Sequence, residues 1–172
     1  MTQLSPRYVA FAGFLLCFFA MAAALYLQYF GGLEPCPLCT FQRVGYVVAG
    51  LVFLVAALHN PKKTGRIIYT LLLSAASLWG AAVAARHVWL QNLPADQVPE
   101  CGPGLDYMLS VFPLQDVLSM VFSGSGECAD VDWHFFGFTL PELALVGFAA
   151  VLATALAWAF WPRQPRSLFI PR

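Results

Sequence analysis

A bundle of four transmembrane helices is the fold class this sequence predicts, and three observations lead there. Of the 172 residues, 60% are apolar and 10% charged, far from the mix of a soluble domain. The apolar residues gather in four runs, 8–30, 41–58, 67–85 and 143–161, each close to the twenty or so helical residues that cross a bilayer. These runs lack the alternation of barrel strands, and a chain in hydrocarbon must pair its own backbone groups, so helices remain. The chain is expected to form one all-α integral membrane domain, 1–172, with spans at about 8–30, 41–58, 67–88 and 141–161.

The first run follows Arg7 and contains Ala22, Ala23 and Ala24, which resemble a signal-peptide cleavage site. It is longer than the about 7–15 residues of a signal h-region, so a retained span is expected. Positive charge then orients the bundle. Arg7, Lys62, Lys63, Arg66, Arg163, Arg166 and Arg172 fall in the first segment, the connection at about 59–66 or the tail, which places these parts and both termini in the cytoplasm. The opposite side receives a short loop, about 31–40, and a long one, about 91–139. The long loop carries Asp96, Glu100, Asp106, Asp116, Glu127, Asp130 and Asp132 but no Lys or Arg. Within it Leu114, Val117, Leu118, Val121 and Phe122 recur at helical spacing, as expected of a short helix lying on the bilayer.

Two cations break the charge rule. Arg43 opens the second span and Arg86 closes the third, both at the outer face. Snorkelling to lipid phosphates, or pairing with Glu34 or Glu142, accounts for such residues in general. Arg43, however, follows Cys39 by four residues, about one helical turn, close enough to favour a thiolate.

Cys17 lies inside the first span, where a thiol acts as a small apolar filler. Cys36 and Cys39 in the first outer loop, and Cys101 and Cys128 in the second, face a compartment beyond cytoplasmic reductants, so two disulfides are expected there. Structural staples would account for Cys101 and Cys128, which are 27 positions apart. They account poorly for Cys36 and Cys39, because a C-x-x-C bridge closes a tiny loop and removes little entropy from the unfolded chain. Four thiolates with His87 and His134 offer ligands for zinc. The second cysteine pair lacks the compact spacing of a zinc ribbon, and no metal is expected.

Pro35-Cys36-Pro37-Leu38-Cys39 with Gln42-Arg43 at the head of a span, Arg86-His87 before the long loop, and "SGECADVDWHFFGFTLPE" around Cys128 together carry a resemblance. The chain resembles, essentially end to end, the disulfide bond formation protein B (DsbB) family. Leu143 departs from the pattern, since an aromatic is expected there after Pro141.

The resemblance implies a quinone-dependent thiol oxidase of the bacterial inner membrane, with its cysteines facing the periplasm. It implies that a reduced DsbA-like partner attacks Cys101, that Cys128 exchanges with Cys36, and that the freed Cys39 thiolate passes electrons to ubiquinone or menaquinone. A DsbA-type oxidant holds a potential near −120 mV, so an ordinary protein disulfide, below about −300 mV, cannot reoxidise it. A lipid-delivered quinone is the acceptor this requires. Arg43 would then stabilise both the Cys39 thiolate and charge on a quinone oxygen, with His87 and Arg86 as further candidates for cofactor binding. The glycines of Gly102-Pro103-Gly104 and Ser123-Gly124-Ser125-Gly126 suit a mobile partner-facing loop. Lipid, quinone and the DsbA-like protein are the expected partners, and nucleic acid is not. Two other functions stay open: a non-enzymatic scaffold whose outer disulfides hold its loops, and a quinone/thiol enzyme like the vitamin K epoxide reductases.

Overall fold

Helix starts and stops follow local chemistry closely. The structure, a computed structural model, describes residues 5–94, 96–99, 105–124, 126–129, 131 and 133–161. Helix α1 (Pro6–Gly31) begins with proline at a position that needs no N–H donor and ends at Gly32, whose φ of 68° lies in the left-handed region. Helix α2 (Pro37–His59) uses Cys36 as its N-cap, the sulfur accepting the Cys39 N–H at 3.4 Å, and stops at left-handed Asn60. Helix α3 (Lys63–Gln91) follows a three-residue turn. Helix α6 (Leu140–Phe160) starts at Thr139, whose N–H donates to Glu142 Oε2 at 2.7 Å.

These four helices are long and apolar enough to cross a membrane. Each lies over an apolar run of the sequence, with its end turns reaching a few residues further. They form a ring in which α1 packs on α2, α2 on α3, α3 on α6, and α6 back on α1. Side chains such as Phe18, Phe19, Leu51, Leu71 and Val146 point outward and are exposed, which is the surface a bundle shows to lipid rather than to water.

Small residues let the helices approach. Phe148 of α6 is fully buried, stacks on Tyr46 with ring centroids 4.1 Å apart, and lies directly over Gly80 of α3. Tyr46 Oη donates to the Ala144 carbonyl at 2.9 Å, locking α2 to α6. A Cβ at position 80 would enter the Phe148 ring. Gly80→Ala is therefore expected to lower stability by about 1–3 kcal/mol through overpacking. The unfolding midpoint in detergent measures this, and an unchanged midpoint would show that Phe148 has room to move.

At the end of the bundle that carries the α2–α3 turn, basic side chains close helix C-termini. Arg7 Nε donates to the Ala57 carbonyl at 3.1 Å. Buried Arg66 donates to Ala159 and Trp161 carbonyls, each at 2.9 Å, and to that of Trp158, with its guanidinium 5.6 Å from the Trp158 ring centroid.

The opposite end is covered by the long loop. It contains α4 (Leu105–Val111), α5 (Leu114–Ser123), a short 3₁₀ turn (Gly126–Cys128) and a two-stranded hairpin, β1 (His134–Phe135) paired antiparallel with β2 (Phe138–Thr139). The hairpin is a small strand element that helical periodicity did not signal. Helix α5 divides its apolar residues. Val117 and Val121 are buried against the protein with Leu38, Val83 and Leu90, whereas Leu114 and Phe122 stay exposed. The helix is thus a cover for the ends of α2 and α3 as well as a candidate for the lipid boundary.

Candidate redox site and the adjoining cavity

The sulfur cluster is assembled from three separate stretches of chain. Proline at position 37 and the Cys36 cap start α2 beneath the long loop, so Cys36 and Cys39 lie on its first turn as two thiols 3.2 Å apart. Helix α3 brings His87 alongside: Nε2 is 3.8 Å from Cys36 Sγ and Nδ1 is 3.9 Å from Cys39 Sγ. The 3₁₀ turn after α5 delivers Cys128, which is 1% exposed, and its sulfur, Cys36 Sγ and a His87 ring nitrogen all lie within 4.8 Å of one another. Cys101 lies outside the described residues, as do Gly102, Pro103 and Gly104.

Gln42 belongs to the helix-head motif, but the motif alone does not reveal its contact with His87. It is 5% exposed, and its amide nitrogen sits 3.2 Å from His87 Nδ1, so it holds the ring in its orientation beside the sulfurs. Its signal was present, since a glutamine one turn into an apolar span needs a buried partner. Gln28, at the outer end of α1, is a second such residue.

Arg43 turns the other way. Its guanidinium donates to Gln28 Oε1 and, at 3.3 Å, to the Ala24 carbonyl, tying α2 to α1. It lines a cavity of about 770 Å³ between α1, α2 and α6 at the cysteine-bearing end of the bundle. Cys39, Gln28, Tyr46, Trp133 and Leu143 share that wall, with Glu34 and Gln42 as its other polar residues, and the remainder is apolar. Leu143 therefore belongs to a cavity wall rather than to the sulfur cluster. A smaller recess holds Cys36, Cys39 and His87 with Trp133, so Cys39 and Trp133 stand on the boundary between the two spaces.

Arg86 is engaged elsewhere. It donates to the carbonyls of Phe122 at 3.2 Å and Ser123 at 3.0 Å, and its guanidinium lies 4.1 Å from the Trp89 ring centroid. These bonds close the C-terminus of α5 and hold that cover helix over the cysteines. Of the three cations or rings read as cofactor ligands, Arg43 lines the large cavity, His87 joins the sulfurs, and Arg86 anchors the lid above them. His134 is on the exposed hairpin.

Sulfurs close enough to exchange, held at one end of a membrane bundle against an apolar cavity, define a membrane-embedded thiol–disulfide oxidoreductase. Comparison with known proteins gives the same class and narrows it. Residues 6–158 match the family described as Disulfide bond formation protein DsbB. A Disulfide bond formation protein B of Hahella chejuensis is 55% identical over 158 residues, covering 89% of this chain and 94% of that one. Its counterpart in Nitrosococcus oceani is 56% identical over 146 residues, 85% of this chain and 86% of the relative. That of Methylococcus capsulatus is 50% identical over 156 residues, 91% and 95% respectively. The chain belongs to the DsbB family, an enzyme family of disulfide-forming oxidoreductases. A scaffold with merely structural bridges is set aside by that membership.

Proposed function

We propose that the protein reoxidises a periplasmic DsbA-like dithiol oxidase and passes the electron pair to a membrane quinone at the outer face of the bacterial inner membrane. The observation that carries this reading is the double placement of the C-x-x-C pair: Cys36 faces Cys128, and Cys39 faces the apolar cavity with Arg43.

Each exchange conserves electrons. A partner thiolate attacks Cys101 of a Cys101–Cys128 disulfide and releases the Cys128 thiolate. The partner's second thiolate then displaces Cys101 and leaves the partner oxidised. Cys128 attacks Cys36 of a Cys36–Cys39 disulfide, forming Cys36–Cys128 and releasing Cys39 as thiolate; Cys101 then attacks Cys128, which re-forms the loop disulfide and releases Cys36, so that Cys36 and Cys39 together hold the electron pair. Arg43, near Cys39 and rigidly held by Gln28, stabilises that anion in a site with little water to screen the charge.

The cavity suits a quinone. Its volume is within the about 300–1,000 Å³ typical of small-molecule sites, and a mostly apolar wall with a few polar side chains, the donor fork of Arg43 among them, matches a flat ring carrying carbonyl oxygens. Arg43 would bind an oxygen, Leu143 and Trp133 the ring, and the open side between helices the lipid tail. When bound, the quinone supplies a two-electron acceptor stronger than a protein disulfide. Ubiquinone and menaquinone both fit this chemistry.

The test is quinone reduction by a reduced DsbA-like thiol in the presence of the purified protein. Turnover is expected with both quinones at different KM values, and absence of turnover with either would remove the proposal. Sidedness needs its own experiment. In a background lacking native cysteines, a cysteine at position 106 should react with a membrane-impermeant thiol reagent in intact cells, and one at position 63 should not. The opposite result would invert the bundle.

A further inference from the structure

We propose that the fully reduced protein binds one Zn²⁺ through Cys36, Cys128 and His87, and that the ion holds the enzyme in a reversible off state. The occupancy of this site is independent of the quinone reading, whereas its effect on turnover rests on it.

The spacing that argues against a zinc ribbon concerns two cysteine pairs near in sequence. The fold builds a different set, with one ligand from α2, one from α3 and one from the turn after α5. All three residues are buried, and their ligand atoms lie within 4.8 Å of one another. Zinc bonds of about 2.3 Å to sulfur and about 2.0 Å to nitrogen place tetrahedral ligands about 3.5–3.8 Å apart. Cys36 Sγ and His87 Nε2 are already at 3.8 Å, so metal capture asks for little movement.

The surroundings complete the site. Histidine that binds a metal through one nitrogen ordinarily donates the other N–H to an acceptor. Gln42 is in place for that, its amide 3.2 Å from Nδ1; with its carbonyl turned to the ring it receives the Nδ1 proton and leaves Nε2 for the ion. The small recess lined by Cys36, His87 and Glu127 gives a path to the site and room for water as fourth ligand. Soft thiolates with imidazole select zinc over calcium or magnesium. Binding displaces a proton from each of the two thiols. It removes the Cys128 and Cys36 thiolates from exchange, and no oxidant or reductant is consumed.

Titration of the full-length protein in detergent tests this, after reduction by a phosphine and removal of metal, with Co²⁺ as a spectroscopic probe and Zn²⁺ as competitor. One equivalent of Co²⁺ should produce a thiolate-to-metal charge-transfer band that Zn²⁺ abolishes. Cys128→Ser and His87→Ala should each weaken binding by at least about tenfold, and Gln42→Leu should weaken it while keeping the band. Cys17→Ala should match the wild type. Because Cys128 lies outside the spans, its serine variant does not depend on bundle packing and keeps the test decisive if His87→Ala fails to fold. A wild-type band in Cys128→Ser, or in protein with its disulfides formed, would overturn the site. Zinc should also slow quinone reduction by a reduced partner until a chelator is added; a zinc-loaded protein with full turnover would overturn the off state alone.

Discussion

Cys39→Ser should abolish steady oxidation of a DsbA-like dithiol with excess quinone, a loss of at least about a hundredfold, because among the described residues no other cysteine lines both the recess of Cys36 and the large cavity. Cys36→Ser, Cys101→Ser and Cys128→Ser should also stop turnover, each by leaving one exchange without its acceptor or nucleophile. They differ in where they stop it. Cys128→Ser leaves Cys101 without its disulfide, so a reduced partner should find nothing to attack, whereas Cys36→Ser should still allow the loop disulfide to be reduced once. Cys17→Ala is the contrast. That sulfur is 2% exposed, packed where α1 passes Gly50 of α2, and remote from the cluster. Its loss should leave the rate within about twofold and affect stability slightly, as expected of a buried apolar filler. Steady turnover by the Cys39 variant would sink the relay.

Arg43→Met should raise the quinone KM by about ten- to a hundredfold, the equivalent of losing one or two hydrogen bonds to a charged group at about 1.5–3 kcal/mol. Arg43→Lys and Arg43→His should do less damage, because a positive charge is kept in part while the planar fork of donors is lost. Gln28→Leu adds a separate measure. It leaves the charge and the bond to the Ala24 carbonyl but removes one of the two acceptors on α1, so a smaller rise in KM is expected if rigid placement matters beyond charge. Exchange between the partner and Cys101 takes place in the outer loop and should proceed at near-normal rate in a single-turnover trap in each variant. If Arg43→Met left KM unchanged and abolished partner exchange, the arginine would be serving the docking of α1 on α2, and the assignment to the quinone step would fail.

The sulfur chemistry depends on which features of the chain were local. Four helices follow directly from runs such as 8–30 and 143–161, because hydrocarbon leaves backbone groups no partner outside their own segment. The placement of Cys36 and Cys39 at a helix head is equally local: proline at 37 sets the first turn, and the cap sulfur serves the N–H three residues on. Arg43 could be read one turn past Cys39 for the same reason, although its clamp by Gln28 could not.

Other parts of the site are properties of packing between distant segments. His87 meets Cys39 across 48 positions, and Gln42 meets His87 across 45, because α2 and α3 lie side by side in this register. Arg86, one residue from His87, projects instead to the carbonyl end of α5, since successive residues on a helix point about 100° apart. The spacing of Val117 and Val121 marks an apolar face, but periodicity is the same whether that face meets lipid or protein. Contact with Leu38, Val83 and Leu90 turned it inward and brought the following turn, with Cys128, onto Cys36. The apolar helices, the helix-head cysteines and the cation beside them are all settled within a turn or two of chain. Which sulfur meets which is settled between distant segments, because that depends on how three helices and a covering loop exclude solvent together.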